Sequence, residues 1–203
     1  DIQTLKQKII ANEDFLYAIF DTDVNYRIKK DMYARKEQKD VGRMLMSRYG
    51  WTLRLQHDYF IAQEVPEENM IWFRRRFPER WLFVHWIDGG DTTLLDPYWV
   101  VGERNRIGAV YYGGDEVVTK YLYSQPVTFL QRKALITTGL WENDDKVAGG
   151  PFKNYTFYDP LSRRVYMIDV AVFAPDRDKA PYIRHMDIMA RTFRTVFERE
   201  VEE

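Results

Sequence analysis

The chain has 203 residues, 45% hydrophobic and 16% aromatic, with 30 basic side chains against 31 acidic ones and no cysteine. The apolar content suffices for the core of one domain or two small ones, and the formal charge of -1 lacks the basic excess that binds a phosphate backbone, so no nucleic-acid partner is expected. Absence of cysteine excludes a disulfide framework, a thiolate metal site, a cysteine nucleophile and a thiol switch together.

The opening residues Ile2, Leu5, Ile9 and Ile10 have helical spacing, and residues 1–20 read as an amino-terminal helix, either an element of its own or the end of a longer one. Asp1 is not preceded by a charged-then-apolar leader, so any targeting segment is expected outside this chain. From Val24 to Tyr49, apolar residues in steps of three and four predict a helix, capped by Asp21 or Asp23 and stopped at Gly50. Its polar middle, Ala34 to Asp40, either projects from the core or divides two helices. The period then changes to two, predicting strands at Trp51–Leu55, Tyr59–Ala62, Met70–Phe77 and Trp81–Ile87, the last apolar on both faces and therefore central. Asp96 and Pro97 start a helix that runs to about Tyr111.

The second half repeats the grammar. Val117–Tyr123 and Val127–Trp141 are strand-like with Pro126 as a break, and Tyr155–Tyr158 and Val165–Phe173 form a hairpin around Asp159 to Ser162. A last helix follows Pro181, with Tyr182, Met186, Met189, Phe193, Val196 and Phe197 as its apolar stripe. The fold class is α+β: antiparallel sheet flanked by helices, or two β-meander-plus-helix halves. The units are 1–20, 21–112 and 113–203, the last two open to merging into one domain.

His57, His85 and His185 lack the short spacing that presents two imidazoles to one metal, and Asp21 to Asn25 begins like a calcium loop but has Tyr26 and Met32 where glycine and a bidentate glutamate belong. Neither a metal nor a cofactor is expected. The basic and aromatic run Trp72 to Trp81 reads as a strand whose arginines pair with neighbouring acids and lie over rings. Asp169 interrupts an apolar strand and, if buried, requires a partner; a structural ion pair is favoured over a catalytic carboxylate. The most unusual stretch joins Trp141 and Glu142 to Gly149, Gly150, Pro151 and Phe152. These six residues form the candidate binding segment, as a pocket lip or as a tight crossing that wedges both aromatics into the core.

Gly139-Leu140-Trp141, the Gly149 to Phe152 turn, Tyr155-Thr156-Phe157, Ser162 to Val165 and Val172 to Pro175, in that order and spacing, resemble an uncharacterised lipoprotein family of Bacteroidota, domain of unknown function 4837. Earlier landmarks agree: a charged helix, a strand after Gly50, and Trp72-Phe73-Arg74-Arg75. The resemblance implies an envelope protein held by a lipid on an amino-terminal cysteine outside this chain, facing the periplasm or the cell exterior, and it carries no catalytic residue. A weaker similarity is to the PsbP-like fold, whose members mostly bind partners. In that context Asp91-Thr92-Thr93 is similar to an O-glycosylation acceptor, although a polar turn explains it more simply.

The reading is a non-catalytic interaction or scaffold module with envelope-protein partners, touching a membrane only through its anchor. A glycan-binding protein with exposed Trp or Tyr platforms is one alternative, and a hydrolase with a carboxylate pair is another.

Overall fold

The computed structural model describes residues 1–34 and 36–198. Arg35, within the expected Val24–Tyr49 helix, and residues 199–203, at the end of the 113–203 span, lie outside the described residues. The chain divides into two compact units, Asp1–Lys36 and Glu37–Glu203.

The first unit is helical. α1 (Ile2–Ala11) is capped by Asp1, whose carboxylate accepts from the Thr4 amide at 2.8 Å, and α2 spans Glu13–Ala34. Asp21 and Asp23 are therefore inside a helix rather than at its start; Asp23 pairs with Arg27 at 2.7 Å, and Asp21 accepts from the Asn25 amide at 2.8 Å.

In the second unit α3 (Lys39–Tyr49) ends at Gly50, whose φ of 73° is the left-handed stop that its sequence position predicts. The expected single helix from Val24 is thus two, and its polar middle is the division: Glu37 bridges Gln56 and binds Arg54 at 2.9 Å. The alternation of Trp51, Leu53 and Leu55 buries all three, but only β1 (Trp51–Thr52) pairs, with β9 (Arg194–Thr195).

The remaining strands are β2 (Phe60–Val65), β3 (Met70–Arg75), β4 (Glu79–Asp88), β5 (Glu116–Phe129), β6 (Arg132–Asn143), β7 (Ala148–Asp159) and β8 (Arg164–Phe173). They form one antiparallel sheet in the order β2-β3-β4-β8-β7-β6-β5, so strands from both sequence halves join where β4 meets β8. β4 and β8 are central and apolar on both sides, as their composition dictates. Pro126 does not break a strand. It sits within β5, an edge, where its missing amide costs no ladder bond on the open side. Leu130 and Gln131, both at positive φ, make the β5–β6 turn that was expected to be continuous strand.

α4 (Pro97–Tyr111), capped by Asp96 at 2.9 Å to the Trp99 amide, covers one face of the sheet through Val100, Arg104, Ile107 and Gly108. The other face carries Trp51, Trp86, Phe157, Tyr166 and Phe193, whose rings stack and meet edge-on. α5 (Ala180–Ala190) packs on β7 and β8 and places Asp187 2.6 Å from Lys153. It carries Tyr182, Met186 and Met189 of the expected stripe but stops at Ala190, before Phe193, Val196 and Phe197. Phe193 stays buried after a turn in which the Thr192 hydroxyl donates to Met189, whereas Val196 and Phe197 are exposed.

Asp169 is fully buried and paired, its Oδ2 accepting from Arg104 Nε at 3.1 Å and from the Asn154 amide at 2.9 Å. The arginines of the Trp72–Trp81 run also behave structurally. Arg74 binds Glu79 at 2.6 Å, Arg75 binds Asp58 at 2.5 Å, and Arg76 and Arg80 lie over Phe60 and Tyr182. Asp91 caps the short turn that holds Thr92 and Thr93.

His57 is exposed, while His185 is half-buried with its imidazole pKa lowered, by burial first and then by Arg80 and Arg75. His85, on β4, lies 3.1 Å from Glu103. Burial pushes the Glu103 carboxyl up, but hydrogen bonds from His85 and Arg106 outweigh it and hold the pKa down at about 2. A depressed carboxylate stabilises the fold above its unfolded pKa and loses that contribution as pH falls through the folded one. Glu103→Gln is therefore expected to cost about 1–2 kcal/mol at pH 7, with the difference from wild type shrinking as pH falls from about 4.5 toward 2, read by urea melts across that range.

Candidate functional site

The sheet and the carboxy-terminal end of α4 enclose a pocket of about 580 Å³, within the size range of small-ligand sites. The strand period of two builds its wall. Residues two apart share a face, so β3 contributes Trp72 and Arg74, and β4 contributes Glu79 and Trp81. β6 adds Trp141, β7 adds Ala148, β8 adds Phe173, and the end of α4 closes the opposite side with Val110 to Gly113.

Gly113 has a φ of 71° and Gly114 one of 97°, a pair of left-handed residues that turns the chain from α4 into β5. Asp115 then enters the pocket wall, its Oδ1 accepting from the Asn143 amide at 2.7 Å. Lys146, from the β6–β7 turn, donates to the Tyr112 carbonyl.

The aromatic wall is closely packed: Trp72 meets Tyr112 edge-on with centroids 4.5 Å apart, and Trp81 meets Trp141 at 5.1 Å. Its polar atoms are another matter. The indole Nε1 atoms of Trp72, Trp81 and Trp141 and the Tyr112 hydroxyl are buried and bond no protein group. An indole N–H only donates, and a buried donor without an acceptor costs about 1–3 kcal/mol. Trp51 Nε1, on the opposite face of the sheet, is buried without a partner in the same way, and Trp141 Nε1 lies against the Gly150 position, so these N–H groups sit within the packing and the cavity is offered the faces of the rings.

Each charged group of the lining has a hydrogen-bond partner, and Arg74 with Glu79 is an ion pair. Arg74 is bound to Glu79, Asp115 to Asn143, and burial pushes the Asp115 carboxyl upward against the opposing pull of Asn143, Lys146 and Arg104. The Tyr112 hydroxyl is held well above its ordinary pKa, by burial and then by the Asp169 charge, so it stays protonated and able to donate.

Of the six residues of the candidate segment, only Trp141 lines this pocket. Phe152 is buried beneath Arg104, whose guanidinium lies 4.0 Å from the ring centroid. Gly149, Gly150 and Pro151 belong to β7, in register with Glu142, Trp141 and Leu140, so the stretch is paired strand rather than turn. Glu142 points outward. Gly150 is a close crossing: a Cβ there would stand 1.9 Å from the Val172 carbonyl and 3.2 Å from Trp141 Nε1. Trp72, Trp81, Tyr112 and Phe173 are pocket residues that sequence reasoning did not assemble, although alternation within β3 and β4 does place Trp72 with Arg74 and Glu79 with Trp81.

Trp51, Trp81, Trp86 and Trp141 are buried and Trp72 and Trp99 partly so, which removes a flat platform of exposed tryptophans for glycans. Among the described residues no group of three or more His, Asp and Glu is placed to hold a metal. None of the described helices is long and apolar enough to cross a membrane.

No curated protein matches the sequence. Among solved structures, the chain is similar to the Ran-binding protein Mog1p of Saccharomyces cerevisiae at 13% identity, with 72% of this chain and 90% of that one covered and a TM-score of 0.46. A Mog1 point mutant gives 13% identity, 72% and 91% coverage and a TM-score of 0.45. A protein of Bacteroides thetaiotaomicron VPI-5482 gives 6% identity and a TM-score of 0.43, with 74% of this chain but only 46% of that one covered. The family model for the domain of unknown function DUF4837 matches residues 23–192, and the chain belongs to that family.

Proposed function

We propose that this domain is a non-catalytic interaction module of a lipid-anchored envelope protein, and that its tryptophan pocket receives an apolar segment of a partner protein. The observation that carries the reading is the aromatic wall formed by Trp72, Trp81, Tyr112 and Trp141 around an open cavity. An apolar side chain inserted against these rings buries area on both partners. The lipid anchor and the envelope location rest on the resemblance of the Gly139 to Pro175 motifs to the lipoprotein family.

Pocket chemistry offers little to a hydrolase. Glu79 and Asp115 are the acids lining it, one salt-bridged to Arg74 and the other held by Asn143. A sugar ring stacked on the same aromatic walls is the second reading, favoured by polar groups among the rings of the lining.

Val110 is exposed at the rim, and a photo-crosslinking amino acid placed there reports on what enters. Irradiation in an envelope fraction is expected to yield a discrete protein adduct, lost when Ala148→Trp fills the cavity without disturbing the fold. An adduct that survives the filled pocket, or none at all, removes the partner-segment reading; a carbohydrate adduct replaces it with the second.

A further inference from the structure

The helical unit carries a feature independent of the pocket. Ile2, Leu5, Ile9, Asn12, Leu16, Ile19, Asp23 and Tyr26 follow one another in unbroken steps of three and four, the a and d positions of a heptad repeat. Ile2 is 74% exposed, Leu5 58%, Ile9 51% and Ile19 48%, and only Leu16 of the aliphatic seam residues is partly covered within the chain. The burial that α2 does have lies elsewhere: Val24, Ile28 and Met32, in steps of four, are partly or fully buried on the side of the helix away from Leu16, Ile19, Asp23 and Tyr26.

We propose that residues 1–26 form a parallel, in-register coiled coil with a second copy of this chain. The flanking positions select that partner. In a parallel pair, each g position faces the e position five residues later on the other helix. Here Asp1 meets Lys6, Lys8 meets Glu13, and Phe15 meets Phe20: two pairs of opposite charge and one of aromatic rings. Asn12 is the polar seam residue between α1 and α2, where the backbone bends to φ -119° and ψ 17°. Its side-chain amide donates to the Lys8 carbonyl at 2.8 Å, and in register it lies opposite its own copy, so no aliphatic seam residue faces a polar one. Ile10 and Tyr17, also exposed, lie off the seam and are not explained by it. Nearly all of the seam precedes residue 23, where the family match begins.

The chain contains no cysteine, which makes a crosslinking test clean. Leu5→Cys is expected to oxidise to a covalent dimer at least roughly tenfold faster than Ser47→Cys, an exposed control on α3, because pairing raises the local concentration of the thiol. Sedimentation of the unmodified chain is expected to give twice 24.4 kDa at high concentration, and Ile9→Glu with Ile19→Glu is expected to return it to one copy with the melting temperature of the sheet domain unchanged. Equal oxidation of the two cysteine variants, a single-copy mass at all concentrations, or a mass of three or four copies overturns the proposal. So does rapid crosslinking of Leu5→Cys with Leu16→Cys where Leu5→Cys alone is inert, the signature of an antiparallel pair.

Discussion

Replacing Arg104 with methionine is expected to destabilise the domain by about 3–5 kcal/mol at pH 7, because it leaves the Asp169 carboxylate buried without its cation. Asp169 is wholly enclosed, with one oxygen bound by Arg104 at 3.1 Å and Asn154 at 2.9 Å, and the other without a partner. Burial pushes its pKa up, and Arg104 and Asn154 only partly pull it back. A carboxyl with a raised folded pKa binds its proton more tightly in the native state, so stability falls as pH rises from the unfolded value of about 3.9 through the folded one. Removing Arg104 raises the folded value further and extends that fall. The gap between Arg104→Met and wild type should therefore be widest near neutrality and narrow toward pH 4. Adding Asp169→Leu to Arg104→Met should restore all but about 1–2 kcal/mol, since an apolar pair fills the space without a stranded charge. Urea midpoints at pH 4 and 7 for the two singles and the double check both claims.

Gly150→Ala is expected to cost about 3–5 kcal/mol for a different reason. Its Cβ would stand 1.9 Å from the Val172 carbonyl, so β7 and β8 must separate at the strand end that carries Trp141 opposite Gly150. The obstacle is backbone, which no rotamer change relieves. Gly102→Ala supplies the contrast: nothing lies within 4 Å of its Cβ, and an alanine inside α4 should add about 0.5–1 kcal/mol of stability. Matched losses at both glycines would contradict the close-crossing account.

How far the sequence leads depends on whether the signal is local. The start of α4 at Pro97 is legible because a capping aspartate followed by proline acts within one turn. The central place of β4 is legible from apolar residues on both faces, and the pairing of Asp169 from an acid among them. The end of α5 is not, since Phe193, Val196 and Phe197 keep helical spacing after the chain has turned at Thr192 into a short strand. The pocket is the least legible feature. Its wall needs β4 beside β8 and α4 across the same face, and sequence adjacency implies neither contact. Trp141 stood out only because a glycine-rich segment pairs with it, and the same close approach that demands Gly150 brings that position to Trp141 Nε1.

The six tryptophans make the central claim directly measurable, because each indole N–H gives its own proton–nitrogen NMR signal once assigned by single Trp→Phe substitutions. Adding the partner segment recovered through the Val110 crosslink should move the signals of Trp72, Trp81 and Trp141, whose rings line the pocket, while those of Trp51 and Trp86 on the opposite sheet face stay in place. Saturating segment that leaves all three unmoved, or that shifts Trp51 and Trp86 instead, would contradict the assignment of this pocket as the binding site.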